Sequence, residues 1–321
     1  MRFGRAGPEG VATNRTLEGR VAIVTGAGNG LGRSHALYLA QRGASVVIND
    51  LGASVHGEGR DTSPAQAVVD EIMAAGGNAV ASAHDVADWE QARDLIDLAI
   101  RHFGTLHVLV NNAGIVRDRS FVNMTEEEWD AVIRVNLKGH AAPTKFALTY
   151  WRDRAKRGEQ VAASVIHTSS VSGLAGIYGQ ANYASAKLGV AGLSRIVSQE
   201  GGAYGVRSNV ISPSARTRMT ATAGSAALNG PEKAPEGFDP FAPECVSPLV
   251  AWLAEAACPA DSQIFHIGGN RVIVLKLAEP VYEAETDGPW TPELLQQVIG
   301  SRLAAPTPIE SILGRPPVGA R

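Results

Sequence analysis

From about residue 20 to 270, short runs rich in β-branched residues alternate with helical patterns, and this alternation restricts the chain to βαβ units feeding a parallel sheet. The strand candidates are Val21 to Thr25, Ser45 to Asn49, Ala79 to Ala83, Leu106 to Val110, Ser164 to His167, Ser208 to Ile211 and Gln263 to Ile267. Several are continuously apolar, as strands covered on both faces must be. Helix signals lie between them. Ser63-Pro64 supplies a cap and an early proline ahead of a helix that Gly76-Gly77 ends, and Thr125 with Glu128 makes a capping box. The spacing predicts helix from Arg33 to Gln41 and from Asn182 to Gln199, and the charged stretch Trp151 to Gln160 reads as a solvated loop.

The expected fold is therefore α/β: a doubly wound parallel sheet of about seven strands with helices on both faces, in a single domain over 17–275. With 45% hydrophobic and 19% charged residues, the chain has ample apolar material for such a core. Residues 1–16 read as a flexible N-terminal tail. The segment 220–243, rich in Gly, Pro and Ala, falls between the last two strands, where it would overhang the strands' carboxyl ends as a substrate lid. Residues 276–321 form a C-terminal extension in which Thr291-Pro292-Glu293 opens a short helical pattern through Leu303.

A formal net charge of -3 leaves no excess positive field, so neither nucleic acid nor an anionic membrane is expected as a partner. No apolar run approaches the length of a membrane span or a secretory signal, which predicts a soluble, cytoplasmic protein. Cys245 and Cys258 read as ordinary core thiols. The eight histidines do not cluster with acids or cysteines at ligand spacing, so no metal site is expected.

After the first strand comes Thr25-Gly26-Ala27-Gly28-Asn29-Gly30-Leu31-Gly32, running directly into a helix. Glycines let the backbone pass close to a pyrophosphate, while the free amides and positive dipole end of the helix attract it. The spacing Gly-x-x-x-Gly-x-Gly departs from the commoner Gly-x-Gly-x-x-Gly because Leu31 stands where that pattern has its last glycine. Asp50 ends the second strand, 18 residues past Gly32, close to the spacing of an acid that accepts both hydroxyls of an adenosine ribose. Its charge would repel a 2′-phosphate, so NAD is the expected cofactor. Arg33, His56 and Arg60 lie nearby in sequence and read as surface residues.

Tyr183 and Lys187, four apart on a helix, share one face. Bringing a phenol from its usual pKa of about 10 to near 7 requires about 4 kcal/mol of preferential stabilisation of the phenolate. A lysine ammonium and a nicotinamide cation beside it could supply that order of energy in a partly desolvated cleft. Such a phenolate would be a general base for an alcohol. Ser170, at the end of the fifth strand, could hold the substrate oxygen beside the phenol. Asn111-Asn112-Ala113-Gly114 ends the fourth strand, and Asn136 sits on the helix after it.

With these motifs in this order, the stretch from Gly19 to Gly269 resembles the classical subgroup of short-chain dehydrogenases/reductases. The resemblance implies a Rossmann-like sheet and NAD(P)-linked oxidoreduction of alcohols and carbonyls, usually by a homodimer or homotetramer. It implies a tetrad in which Asn136 holds a water leading to Lys187, Ser170 orients the substrate oxygen and Tyr183 exchanges the proton. It also implies cofactor contacts from Gly26, Asn29, Gly30, Leu31 and Gly32, from Asp50, from Asn112, Ala113 and Gly114, from Tyr183 and Lys187, and from Pro213 and Thr217. Asp85-Val86 matches the position that meets the adenine. Ser169 and Ser172 read as structural hydroxyls.

A narrower resemblance rests on Asn49-Asp50-Leu51-Gly52 with a long insertion, Gly114-Ile-Val-Arg-Asp-Arg-Ser-Phe121, Gly179-Gln-Ala-Asn-Tyr183 and Ser214-Ala-Arg-Thr-Arg-Met219. These look like the (3R)-hydroxyacyl-CoA dehydrogenase domains of peroxisomal multifunctional enzymes of type 2, also called 17β-hydroxysteroid dehydrogenase type 4. A small-molecule alcohol or ketone of the acyl-CoA or steroid class is the implied substrate. Two departures stand out: Ser214 follows Pro213 where the family has glycine, with Thr217 one residue early, and 220–243 has little similarity to the subgroup. The alternatives are an NADP-dependent carbonyl reductase of the same family and a catalytically idle NAD-binding sensor or scaffold.

Overall fold

The computed structural model describes residues 15–219, 237–300 and 302–303. Most of the expected N-terminal tail, of the expected lid and of the chain after Leu303 lies outside the described residues.

Eight strands form one sheet. β1 (Val21–Thr25), β2 (Ser45–Asn49), β3 (Asn78–Ser82), β4 (Val108–Asn111), β5 (Ala163–Thr168), β6 (Val206–Pro213) and β7 (Ile264–Gly268) run parallel, and β8 (Arg271–Leu275) returns antiparallel. The order is β3-β2-β1-β4-β5-β6-β7-β8. Chain direction across the sheet reverses between β1 and β4, which opens the crevice at the strands' carboxyl ends where ligands bind in such sheets. Register there is set by apolar neighbours: Ile23 of β1 sits between Val47 of β2 and Leu109 of β4.

Alternation along β1 explains its unbroken apolarity. Ala22 and Val24 pack, with Val46 and Ile48, against α1 (Gly30–Gln41), α2 (Ser63–Ala74) and α8 (Ser247–Ala254) through Leu39, Val68, Ile72 and Val250. Val21 and Ile23 face the other way, with Val47, Leu109 and Val165, onto α3 (Trp89–Phe103), α5 (Gly139–Lys156) and α7 (Ala181–Gly201) through Leu95, Ile96, Ala147, Trp151 and Val197. Each such fully buried side chain contributes about 1.5–3 kcal/mol, so both faces are strongly specified.

The capping box forms as expected. Thr125 Oγ1 accepts from Glu128 N–H at 3.2 Å, Glu128 Oε2 accepts from Thr125 N–H at 2.9 Å, and α4 (Glu126–Ile133) follows. α2 starts one residue earlier than the Ser63 cap predicts, with Thr62 at its N-cap, and it stops at Ala74 just before Gly76 at φ +81°. A π-helical turn, Arg134–Lys138, joins α4 to α5, and Asn136 sits on it. α6 (Val171–Ala175) and α9 (Pro292–Val298) are short.

One expectation is corrected. The charged stretch Trp151 to Gln160 is not a loop at its start: α5 runs to Lys156. Trp151 is fully buried and donates from Nε1 to Leu106 O at 2.8 Å, because Ala147 and Trp151, one turn apart, form the helix's inner face. The expected sheet of about seven strands forms with eight. Gly268-Gly269-Asn270 makes a tight turn, with Gly269 at φ +56°, and Val272 and Val274 alternate outward on the returning edge. Among the described residues no helix is long and apolar enough to cross a membrane, and no group of metal-ligating side chains gathers.

Candidate active site

The carboxyl ends of β1 to β6 surround a cavity of about 460 Å³. It is lined by Gly26, Asn29, Gly30, Leu31 and Gly32, by Asp50, by Asp85 and Val86, by Asn112, Ala113 and Gly114, and by Ser170, Tyr183, Lys187, Pro213 and Thr217. Every candidate site residue but Asn136 therefore lies on one surface. Asn136 is fully buried behind it.

The glycine turn is shaped for close approach. Gly26 has φ +63°, and a Cβ on it would come within 2.8 Å of Ala113 Cα. A Cβ on Gly32 would collide with Gly26 O. The turn is tied to β4: Thr25 Oγ1 accepts from Asn112 N–H at 2.9 Å and Ala113 N–H at 3.0 Å, while Asn112 Nδ2 donates to Thr25 O and Gly26 O. The Asn112 side chain is thus spent on holding the turn. Asn29 caps α1 without a side-chain bond, and the helix has no acid in its first turn, so its first amides face the cavity unneutralised. A helix N-terminus beside a glycine cradle fits the pyrophosphate of a dinucleotide.

Asp50 stands next to that turn. Its Oδ2 accepts from Gly28 N–H and its Oδ1 from Gly52 N–H, each at 2.7 Å. Asp85 is held by Arg134 Nη2 at 2.6 Å and by Ala87 N–H at 2.9 Å. Burial works to raise the Asp85 carboxyl, but those two bonds and the charges of Arg134 and Arg60 outweigh it and hold the group below its ordinary range. Thr217 lies over Gly30 of the same turn, with its Cγ2 at 3.5 Å from where a Gly30 Cβ would be.

Tyr183 and Lys187 come from the first turns of α7, and Ser170 caps α6 after β5. The Lys187 ammonium lies 5.6 Å from the centre of the Tyr183 ring and donates to Thr168 O at 2.7 Å. Asn136 donates from Nδ2 to Ile115 O and Val132 O, which leaves its buried Oδ1 without a partner. That oxygen and Lys187 Nζ both border Gly114, where a Cβ would sit 2.5 Å from the first and 3.7 Å from the second. A buried acceptor in such a position suits an ordered water. Ser169 donates to Lys187 O and Ser172 is buried, so both are structural, as expected.

A family model for short chain dehydrogenases matches residues 20–227. The chain belongs to that family. A hydroxyacyl-CoA dehydrogenase of Mycobacterium tuberculosis, ChsB1, is 42% identical over 93% of both chains. The peroxisomal hydratase-dehydrogenase-epimerase of Neurospora crassa is 43% identical over 83% of this chain, and the mouse peroxisomal multifunctional enzyme type 2 is 40% identical over 89%. The chain spans only 28% and 37% of those two longer proteins. A crystal structure of a short chain dehydrogenase from Mycobacterium avium superposes with a TM-score of 0.80 at 46% identity, covering 91% of this chain and 98% of that one.

The electrostatics of this short-chain dehydrogenase differ from the sequence expectation at one point. Burial pushes the Tyr183 phenol up to about 12 against a lowering bond from Ser170, and burial lowers the Lys187 ammonium to about 7. The protein alone therefore does not acidify the phenol. The sequence reading also missed part of the lining. Leu51, Ala53, Ser54, Val55, Gly57, Gly59 and Arg60 come from the insertion after β2, which folds over the cavity. Arg60 is thus a cavity residue, while His56 and Arg33 are not: His56 Nδ1 donates to Val116 O, and Arg33 pairs with Glu71. Met219, with its Sδ 3.9 Å from the Tyr183 hydroxyl, was missed as well.

Proposed function

We infer that this short-chain dehydrogenase moves a hydride between a secondary alcohol or its ketone and NAD(H), with a 3-hydroxyacyl-CoA or a steroid-derived compound as substrate. The observation that carries the reading is the convergence of Ser170, Tyr183 and Lys187 at one end of a cavity whose other end is a glycine turn next to Asp50. The substrate class rests on the names of the relatives, ChsB1 above all, which the chain matches over nearly its full length. NAD over NADP rests on Asp50, whose carboxylate is held by two amides where a 2′-phosphate would meet its charge.

When bound, the nicotinamide accepts or returns the hydride at the substrate carbon. In the oxidative direction Tyr183 Oη takes the hydroxyl proton, and Ser170 Oγ holds the same oxygen as it becomes a carbonyl. Lys187 Nζ favours the phenolate and relays its proton towards a water held by Asn136 Oδ1. Met219 closes the cavity over the phenol and keeps bulk water from it.

The test is a 340 nm absorbance assay with NAD and NADP against alcohols, 3-hydroxyacyl thioesters and hydroxysteroids. Turnover of a thioester or steroid with NAD is expected, together with a loss of two or more orders of magnitude in Tyr183→Phe at unchanged NAD affinity. A Tyr183→Phe variant of near-normal rate would remove the catalytic assignment. Silence across the panel with measurable NAD binding would favour a sensor or scaffold. The homodimer or homotetramer that the family implies is checked by light scattering of the full chain.

A further inference from the structure

The insertion after β2, residues 51–62, forms a strap with a closed neck. Asp61 N–H donates to Leu51 O at 3.1 Å, and Gly52, at φ +66°, has no room for a Cβ against Asp61 O. Its far end is moored across the cleft, with Val116 N–H donating to Val55 O at 3.0 Å and Arg117 Nε to His56 O at 3.1 Å. Arg60 sits one residue before the neck, so its backbone lies beside Leu51, and its charge acts on Asp85. Leu51 and Asp85 belong to the ends of β2 and β3, next to Asp50.

Among the described residues, four cationic ones line the cavity. Arg134 is paired with Asp85, Lys187 is bonded to Thr168 O, and Arg218 neighbours Met219 at the Tyr183 end. Arg60 is exposed and, among the described residues, has neither an ion pair nor a hydrogen bond from its guanidinium. A planar, weakly hydrated cation free at this edge is suited to lie on a flat aromatic base.

We propose that Arg60 is an adenosine-binding residue of this chain, its guanidinium covering a face of the adenine ring of the bound dinucleotide. The proposal rests on the cofactor reading above, in which Asp50 and Asp85 place the adenosine at the ends of β2 and β3. Through Arg60 the strap contributes to cofactor affinity without touching the reacting atoms.

Calorimetric titration of the full chain with NAD, NADP and ADP-ribose tests it. Arg60→Ala is expected to weaken NAD and ADP-ribose alike, by about five- to tenfold, and Arg60→Lys to recover only part of the loss because an ammonium keeps the charge but not the plane. Arg60 is exposed, so both variants should melt as the wild type does. An NAD dissociation constant within about twofold of wild type in Arg60→Ala overturns the proposal. So does full recovery in Arg60→Lys, which would mark a diphosphate contact, and so does a loss confined to NADP, which would make Arg60 a 2′-phosphate receptor. If the wild type binds neither nucleotide, the cofactor reading fails with it.

Discussion

Lys187 carries the sharpest conflict between stability and function at the residue scale. It is fully buried, and burial lowers its ammonium from 10.5 to about 7. A folded-state pKa below the unfolded one means the unfolded chain binds more protons between pH 7 and 10.5. Its penalty is therefore complete below about pH 7 and relieved as pH rises towards 10.5. Lys187→Met should accordingly be more stable than wild type at pH 7, on the order of 2 kcal/mol, with the gap narrowing by pH 10. Urea melts at the two pH values measure this, and a less stable variant at pH 7 would contradict it. The same variant should lose turnover, since it removes the ammonium 5.6 Å from the centre of the Tyr183 ring. Asp50 is the complementary case, a carboxylate that holds the glycine turn and, in the proposed function, meets the ribose. Asp50→Ser should relax the preference for NAD by about tenfold or more in kcat/KM, the effect expected when a charge facing a phosphate is removed. An unchanged NAD:NADP ratio would place the discrimination elsewhere.

Among the elements, those that carry periodic patterns formed where the sequence placed them, to within a few residues. β1, β2 and the Thr125 capping box are cases of local signal and tertiary demand agreeing. The strap after β2 is different. It has no periodicity, and its conformation comes from bonds to Val116 and Arg117, 60 residues away in sequence. Such a segment is readable as an insertion but not as a cavity wall. Among its three left-handed glycines is Gly52, whose φ and contact with Asp61 permit no side chain. Gly52→Ala should therefore cost about 1–3 kcal/mol and weaken NAD binding, as read by thermal melts and titration. A neutral substitution would show that the neck is not closed in solution. The π turn under Asn136 was equally hidden, because a single wide turn, Arg134–Lys138, is too short to carry a period of its own.

Across the whole molecule, the layer between sheet and helices holds three fully buried histidines. His35 Nδ1 lies 2.9 Å from Ser247 Oγ, and His140 stacks on His167 with ring centres 5.6 Å apart. Burial lowers His35 and His167 to about 3, and His140 well below its usual value, with the charges of Lys187 and His167 adding to the last. Unfolded histidine titrates near 6.5, so the unfolded chain binds more protons from pH 6.5 down to about 3. Stability is present above 6.5 and is lost as pH falls through that window, by up to about 1.4 kcal/mol per pH unit for each histidine. Denaturant melts at pH 7, 5 and 4 should show this steep acid limb, flattened in His167→Phe. An equal slope in that variant would rule the histidines out as its cause. The sequence by itself determined the order of strands and helices, the glycine turn, Asp50 and the Tyr183/Lys187 pair, because each depends on residues within one or two turns of one another. Only the tertiary structure decided that Asn112 braces the turn, that the strap and Arg60 reach the cavity, that Trp151 is core and that the phenol is not acidified by the protein alone. These depend on groups brought together from distant parts of the chain and on the water their burial excludes, neither of which leaves a local pattern.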